Sequence, residues 1–241
     1  MNGGETSMKS TQNNMYPKLS CKTFCKLIYK ELVDFFRKNR VFIPNRKLHE
    51  LYNQNEEPWM FVIKVILSAQ SKDKTVNQVA KVLFQKYPTL EKLANAKIED
   101  VERIIKPIPF YRKKAVMIIN AAKILYNEFN GNIPHTYEDL YKLPGVSRKS
   151  AATIRAIIHE IPSIIVDRHV IRVLNRLRFV NNVEDPIYVE SRIEKCCPKE
   201  IWIPLCLLLI LFGRYICTAR NPQCHRCPLQ KYCFYSLSNR K

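Results

Sequence analysis

The sequence predicts an all-α protein. Three observations lead there: apolar residues recur at helical spacing, no sustained apolar–polar alternation marks a strand, and prolines fall at intervals suited to helix starts and connections. The first stripe is Leu27, Ile28, Leu32, Phe35 and Phe36. The second is Phe61, Val62, Val65, Ile66 and Ala69, and the third is Val76, Val79, Ala80 and Leu83. Ala115, Ile118, Ile119, Ala122 and Leu125 form a fourth. Pro58, Pro88, Pro107, Pro109, Pro134, Pro144, Pro162, Pro186, Pro198 and Pro204 punctuate these stretches. After Asp167, residues Val170, Val173, Leu174 and Leu177 point to a core, while Arg168, Arg172 and Arg176 share another stripe. The apolar run from Ile201 to Phe212 is broken by Pro204 and too short to cross a bilayer, so it reads as a buried helix.

Composition narrows the partners. The chain carries 40 Lys+Arg against 21 Asp+Glu, a net charge of +19, which attracts polyanions and nucleic acid first among them. Nine cysteines without a signal peptide point to a reducing, intracellular compartment and to metal binding rather than disulfides. The expectation is a protein that is not secreted and has no membrane segment. Residues 1–23 are polar and show no apolar period; they read as a disordered extension. It has no arginine before Arg37, which argues against a mitochondrial transit peptide.

Two helical stretches flank a turn. Tyr137 to Leu140 leads into Leu143-Pro144-Gly145-Val146-Ser147-Arg148-Lys149-Ser150, and Ala151 to Ile158 leads out. A Pro-Gly turn that opens a helix presents backbone amides to solvent, and these bind a phosphate without reading its base. Gly145, Val146, Ser147 and Arg148 are the contact residues this reading selects. The same turn is common between helices that bind nothing. Lys149 falls in the first turn of the second helix, where the helix dipole and Arg148 disfavour the ammonium. A lysine that acts as a nucleophile needs its neutral amine. Eighteen residues on, the apolar run Ile164-Ile165-Val166 stops at Asp167, which reads as a helix cap or a cleft residue. His169 reads as structural.

Near the C-terminus, Cys217, Cys224, Cys227 and Cys233 form a C-x6-C-x2-C-x5-C run. Four thiolates so close in sequence suit either zinc or an iron–sulfur cluster. The other cysteines, Cys21, Cys25, Cys196, Cys197 and Cys206, lie outside this run and are expected as free thiols.

Taken in order, LSAQ at 67–70, LPGVSRKSA at 143–151, IIVDRHVIRVLNR at 164–176, FGRYIC at 212–217 and the four-cysteine run resemble the endonuclease III family of base-excision DNA glycosylases, the iron–sulfur branch of the helix-hairpin-helix superfamily. The resemblance extends over roughly residues 30 to 235. It implies a two-lobed, all-α helix-hairpin-helix DNA glycosylase fold with DNA in the cleft and a C-terminal [4Fe–4S] cluster loop. One lobe is a six-helix barrel over 51–161. The other joins 24–50 to 162–241 and holds the cluster on Cys217, Cys224, Cys227 and Cys233.

The resemblance also implies roles. Gln70 enters the stack vacated by a flipped base, Phe110 wedges the other side, and Arg112 and Lys113 neutralise phosphates. Lys149 attacks C1′ of the damaged nucleotide and Asp167 stabilises charge on the sugar. The implied substrates are oxidised or ring-saturated pyrimidines and abasic sites in double-stranded DNA. The implied setting is intracellular, wherever the DNA lies, and the implied state is a monomer. Several residues depart from the family pattern. Ser147 replaces a second hairpin glycine, Phe212 replaces a histidine, and Leu207 and Leu208 make the neighbourhood of the cluster more apolar. Asn221 and Gln223 leave Arg220 as the basic residue in the first cysteine loop, and Arg168 stands beside Asp167. Three rival readings remain at this point, one of them an abasic-site activity without glycosylase activity on intact lesions. An adenine glycosylase of the same superfamily shares the cysteine run and the local CPLQ, but it lacks the hairpin lysine. A non-catalytic DNA-binding protein with a structural metal is the third.

Overall fold

The structure, a computed structural model, describes residues 19–39 and 56–238. Among them there are twelve α-helices and no strand. The extension read for 1–23 lies outside the described residues as far as residue 18, and α1 (Cys21–Lys38) already begins within it, capped by Ser20, whose Oγ accepts from Thr23 N at 3.1 Å.

The chain divides into two compact units, Pro44–Ile165 and Met1–Ile43 with Val166–Lys241. The first contains α2 (Pro58–Ser68), α3 (Asp73–Lys86), α4 (Leu90–Ala94), α5 (Ile98–Ile105), α6 (Tyr111–Asn127), α7 (Tyr137–Tyr141) and α8 (Arg148–Ile158). Helix α6 is its axis and packs on α2, α4 and α5, while α2 also meets α3 and α8. The stripes Val76/Val79/Ala80/Leu83 and Ala115/Ile118/Ile119/Ala122/Leu125 are buried here. Ala69 departs from its stripe and is exposed, because α2 ends at Ser68 and the chain reverses there. Local chemistry sets the helix starts: Thr89 and Thr136 cap α4 and α7 through their hydroxyls, and Pro58 opens α2.

The second unit contains α1, α9 (Arg168–Arg176), α10 (Pro186–Cys196), α11 (Trp202–Tyr215) and α12 (Phe234–Ser238). Its core forms where α11 packs on α9 and α1, and where α1 meets α10. Ile28, Leu32, Leu208, Leu209 and Phe212 are buried there. Pro204 does not break α11. It lies in the first turn, where amides have no intrahelical acceptor. No described helix is long and apolar enough to cross a membrane.

One expectation is overturned in this unit. Cys25 and Cys197 are not free thiols but form a disulfide across 172 residues of sequence. Cys25 belongs to the buried face of α1 and Cys197 follows α10, so the packing of these helices brings together two residues that no local pattern links.

Candidate functional site

The hairpin lies between α7 and α8. Gly145 has φ +86°, and a Cβ there would lie 2.8 Å from Cγ2 of Ile66 and 3.2 Å from Sδ of Met117. Glycine is therefore required twice, for the left-handed backbone and for the close approach to α2 and α6. The Val146 amide is spent inside the turn on the Leu143 carbonyl at 3.1 Å. The amides left without intrahelical acceptors are those at the start of α8, the first turn after the hairpin. Ser147 resolves the question raised by the missing second glycine. Its φ is −85°, so nothing in the backbone requires glycine, and it serves as N-cap of α8 by accepting from Ser150 N at 3.3 Å. Arg148 and Lys149 are the exposed first residues of that helix.

Four exposed residues in the same unit have left-handed backbones without being glycine, Gln70, Phe110, Asn130 and Glu160, and the first two are candidate contact residues. Gln70, just beyond α2, has φ 55°, and Phe110, the N-cap of α6, has φ 59° and is 63 % exposed. Backbone strain of this kind persists only where the surroundings fix it, and it gathers at functional loops. Arg112 and Lys113 are exposed in the first turn of α6. The next residue is different. Lys114 is only 5 % exposed, and its ammonium donates to the carbonyls of Leu67 at 2.8 Å and Ala69 at 2.6 Å and to Ser71 Oγ at 3.1 Å. An open hollow of about 760 Å³ in this unit, lined in part by Trp59, Leu90 and Tyr126, contains none of these residues.

In the other unit, Asp167 is the N-cap of α9. Its Oδ1 accepts from the amides of His169 at 2.8 Å and Val170 at 3.1 Å, which fixes the carboxylate at the helix start. His169 is structural in its contacts: Arg172 Nη2 donates to its Nδ1 at 3.1 Å, and burial pushes its pKa below the usual imidazole value. Gly213 lets α11 approach α9, since a Cβ there would lie 2.8 Å from Cβ of His169.

Arg172 and Arg176 do not form a solvated stripe. Arg172 donates to the carbonyls of Gly213 at 2.7 Å and Cys217 at 3.0 Å. Arg176 donates to Cys217 Sγ at 3.3 Å and to the carbonyls of Thr218 at 2.7 Å and Ala219 at 3.0 Å, and it lies over the Tyr235 ring at 4.4 Å. These two guanidiniums hold the loop that begins at Cys217, a task their i, i+4 spacing on α9 permits but does not announce. Arg220 is exposed on that loop, whereas Gln223 closes it through its side-chain bonds to the Tyr215 carbonyl at 3.1 Å and to Arg226 Nη1 at 3.0 Å.

The four C-terminal cysteines follow on short turns. Cys217 succeeds α11 and donates its amide to the Phe212 carbonyl at 2.8 Å. Cys224 opens the 3₁₀ turn Cys224–Arg226, and Cys233 follows the turn Gln230–Tyr232. Burial pushes the Cys227 thiol up to about 12, and Cys233, Cys217 and Cys224 push it the same way. The four sulfurs therefore stand in one another's field. Such thiols ionise together only against a compensating cation, which is the chemistry of a thiolate-bound metal centre. Four thiolates within one short segment are a donor set that suits either zinc or an iron–sulfur cluster.

The comparisons with known proteins agree with this donor set. Residues 63–199 match the family model described as HhH-GPD superfamily base excision DNA repair protein, and residues 217–233 match the iron–sulfur binding domain of endonuclease III. Endonuclease III of Bacillus subtilis is 39 % identical over 184 residues, covering 76 % of this chain and 83 % of the relative. The Rickettsia conorii enzyme is 36 % identical over 208 residues, covering 86 % and 96 %. Among solved structures, a trapped endonuclease III–DNA covalent intermediate superposes with a TM-score of 0.81 at 33 % identity, covering 92 % of this chain and all of the other. A non-covalent endonuclease III–DNA complex gives 0.80 at 34 % identity, covering 91 % and 98 %. The hairpin, the cysteine run and these likenesses together show that the chain belongs to the endonuclease III family of base-excision DNA glycosylases.

Proposed function

We propose that this protein excises oxidised or ring-saturated pyrimidines from double-stranded DNA and then cuts the strand at the resulting abasic site, with Lys149 as nucleophile. The observation that carries the reading is Lys149 in the first turn of α8, directly after the Gly145 turn, in a chain similar to an endonuclease III trapped covalently on DNA. The Nζ of Lys149 attacks C1′ and the glycosidic bond breaks, with its electron pair leaving on the base. The sugar ring opens to a Schiff base between C1′ and Nζ. Removal of a 2′ proton then expels the 3′ phosphate by β-elimination. Asp167 stabilises positive charge as it develops on the sugar and helps to move the proton.

Recognition falls to the remaining residues. Gln70 and Phe110 fill the space of the extruded nucleotide, and Arg112, Lys113, Arg148 and Arg220 hold phosphates along with the amides at the start of α8. Cys217, Cys224, Cys227 and Cys233 would hold a [4Fe–4S] cluster, which when bound neutralises four thiolates and fixes the loop that bears Arg220. In this reading the protein works as a monomer on intracellular DNA.

The test is borohydride trapping on a duplex with one abasic site, run with Lys149→Ala and Lys149→Gln. A covalent adduct is expected from the wild type and from neither variant. Release of free base from a thymine-glycol duplex is expected to depend on the same residue. DNA-bound wild type that forms no adduct sinks the lyase mechanism. An adduct without base release leaves an abasic-site lyase that is not a pyrimidine glycosylase.

A further inference from the structure

Lys114 joins the C-terminal end of α2, beside Gln70, to the first turn of α6, which Phe110 opens. It belongs to a basic run, Arg112-Lys113-Lys114, in which the first two residues are exposed and the third is buried. An ammonium has three N–H bonds and no acceptor capacity. Here all three have partners: Leu67 O, Ala69 O and Ser71 Oγ. The two carbonyls belong to the C-terminal end of α2, where they have no intrahelical donors and where the dipole favours a cation. They lead into the turn that places Gln70 at φ 55°, and the third partner, Ser71, follows it. The amide of Lys114 donates to the carbonyl of Phe110 at 3.1 Å and so closes the first turn of α6 behind the φ 59° residue. That bond is one any residue here would make; it is the side chain that ties the turn at Gln70 to the helix that Phe110 opens. Burial pulls the Lys114 pKa below the ordinary lysine value, as expected for a charge placed inside the protein. A cation kept there needs a reason beyond packing, since an apolar chain of similar length fills the same space without the desolvation cost.

We propose that Lys114 is a positioning residue that joins Gln70 and Phe110 into one rigid DNA-probing unit, so that the two side chains enter the duplex together. The proposal rests on the reading of Gln70 and Phe110 as DNA probes. It assigns Lys114 no contact with DNA. Its ammonium is consumed by protein carbonyls and a hydroxyl, which separates it from Arg112 and Lys113 despite their adjacency. Without the ammonium the turn at Ala69–Gln70 loses its brace, and each probe meets the duplex independently.

A double-mutant cycle tests this on a duplex with a tetrahydrofuran abasic analogue opposite 2-aminopurine, beside the same duplex undamaged. The proteins are wild type, Lys114→Met, Gln70→Ala, Phe110→Ala and the Lys114→Met/Gln70→Ala pair, all at a temperature where melting curves show them folded. Lys114→Met is expected to weaken binding to the abasic-analogue duplex by about tenfold, to leave the undamaged duplex within about twofold, and to add almost nothing to Gln70→Ala. The 2-aminopurine signal of opposite-base unstacking is expected to fall in parallel. Full additivity of the two losses, or wild-type binding by Lys114→Met, overturns the proposal. If Gln70→Ala and Phe110→Ala themselves bind like wild type, the DNA-probe reading fails instead. Should Lys114→Met not fold, Lys114→Gln, which keeps two donors, goes through the same cycle and is judged by the same outcomes.

Discussion

Lys113 and Lys114 are neighbours in sequence and opposites in environment: one faces water, the other faces three acceptors inside the protein. The contrast shows what residue type alone conceals, since a lysine reads as a solvated charge until its burial is known. His159 makes a similar point with a consequence in pH. Its Nε2 is 3.2 Å from the Pro134 carbonyl, and the His135 ring lies edge-on with centroids 6.1 Å apart. Burial first, and then the nearby charges of His135 and Arg155, pull its pKa below the ordinary value of 6.5, with the Pro134 bond opposing them. The unfolded chain therefore takes up a proton near pH 6.5 before the folded chain does. Stability is complete above that pH and declines as pH falls toward the folded-state value. His169 is lowered by burial too and adds to the same slope. Urea midpoints are expected to fall from pH 7 to pH 5.5, and His159→Gln is expected to flatten part of that fall. An unchanged slope in the variant would remove His159 as a cause.

The helices themselves were largely legible, and the ties between distant helices were not. Buried stripes such as Val76/Val79/Ala80/Leu83 carry their period in the sequence, and capping residues such as Thr136 and Asp167 mark helix starts locally. The disulfide between Cys25 of α1 and Cys197 beyond α10 has no such local signal, because its partners are 172 residues apart. Beside it lies Cys196, whose thiol is pushed up to about 11 by burial and then by its bond with Cys21. A thiol so rarely ionised is a poor attacker, which protects the disulfide from exchange with its own neighbour. Closing a long loop restricts the unfolded chain, and the bond is expected to contribute on the order of 2–4 kcal/mol. Cys25→Ser should therefore lower the denaturation midpoint under non-reducing conditions. Wild type after prolonged exposure to a dithiol reductant should fall to the variant's level. Equal midpoints for wild type and variant without reductant would show that α1 is held by packing alone. The short helices α4 and α5 were missed for a different reason, since five and eight residues fall short of the window of about 11 over which an apolar stripe stands out.

At the scale of the whole molecule the net charge of +19 is the dominant long-range feature, and it tells little about chemistry on its own. The chemistry became legible through the order of motifs, from the LSAQ turn through the hairpin to the cysteines. The supporting residues Lys114, Arg172 and Arg176 look like further members of a basic surface, although their charges are turned inward onto carbonyls and a thiol. This distinction yields a measurable separation. Cations that bind phosphates release counterions, so the logarithm of the DNA association constant falls linearly with the logarithm of salt concentration, by about 0.9 per phosphate neutralised. Arg112→Gln and Lys113→Gln are each expected to make that slope shallower by about one on undamaged duplex. Lys114→Met removes the same formal charge from the adjacent position, but from a group already committed to Leu67, Ala69 and Ser71, and it should leave the slope unchanged. Fluorescence anisotropy titrations across a salt series decide the matter. A slope reduced equally by all three substitutions would mean that net charge rather than placement governs DNA affinity, and the inward assignment of Lys114 would fall with it.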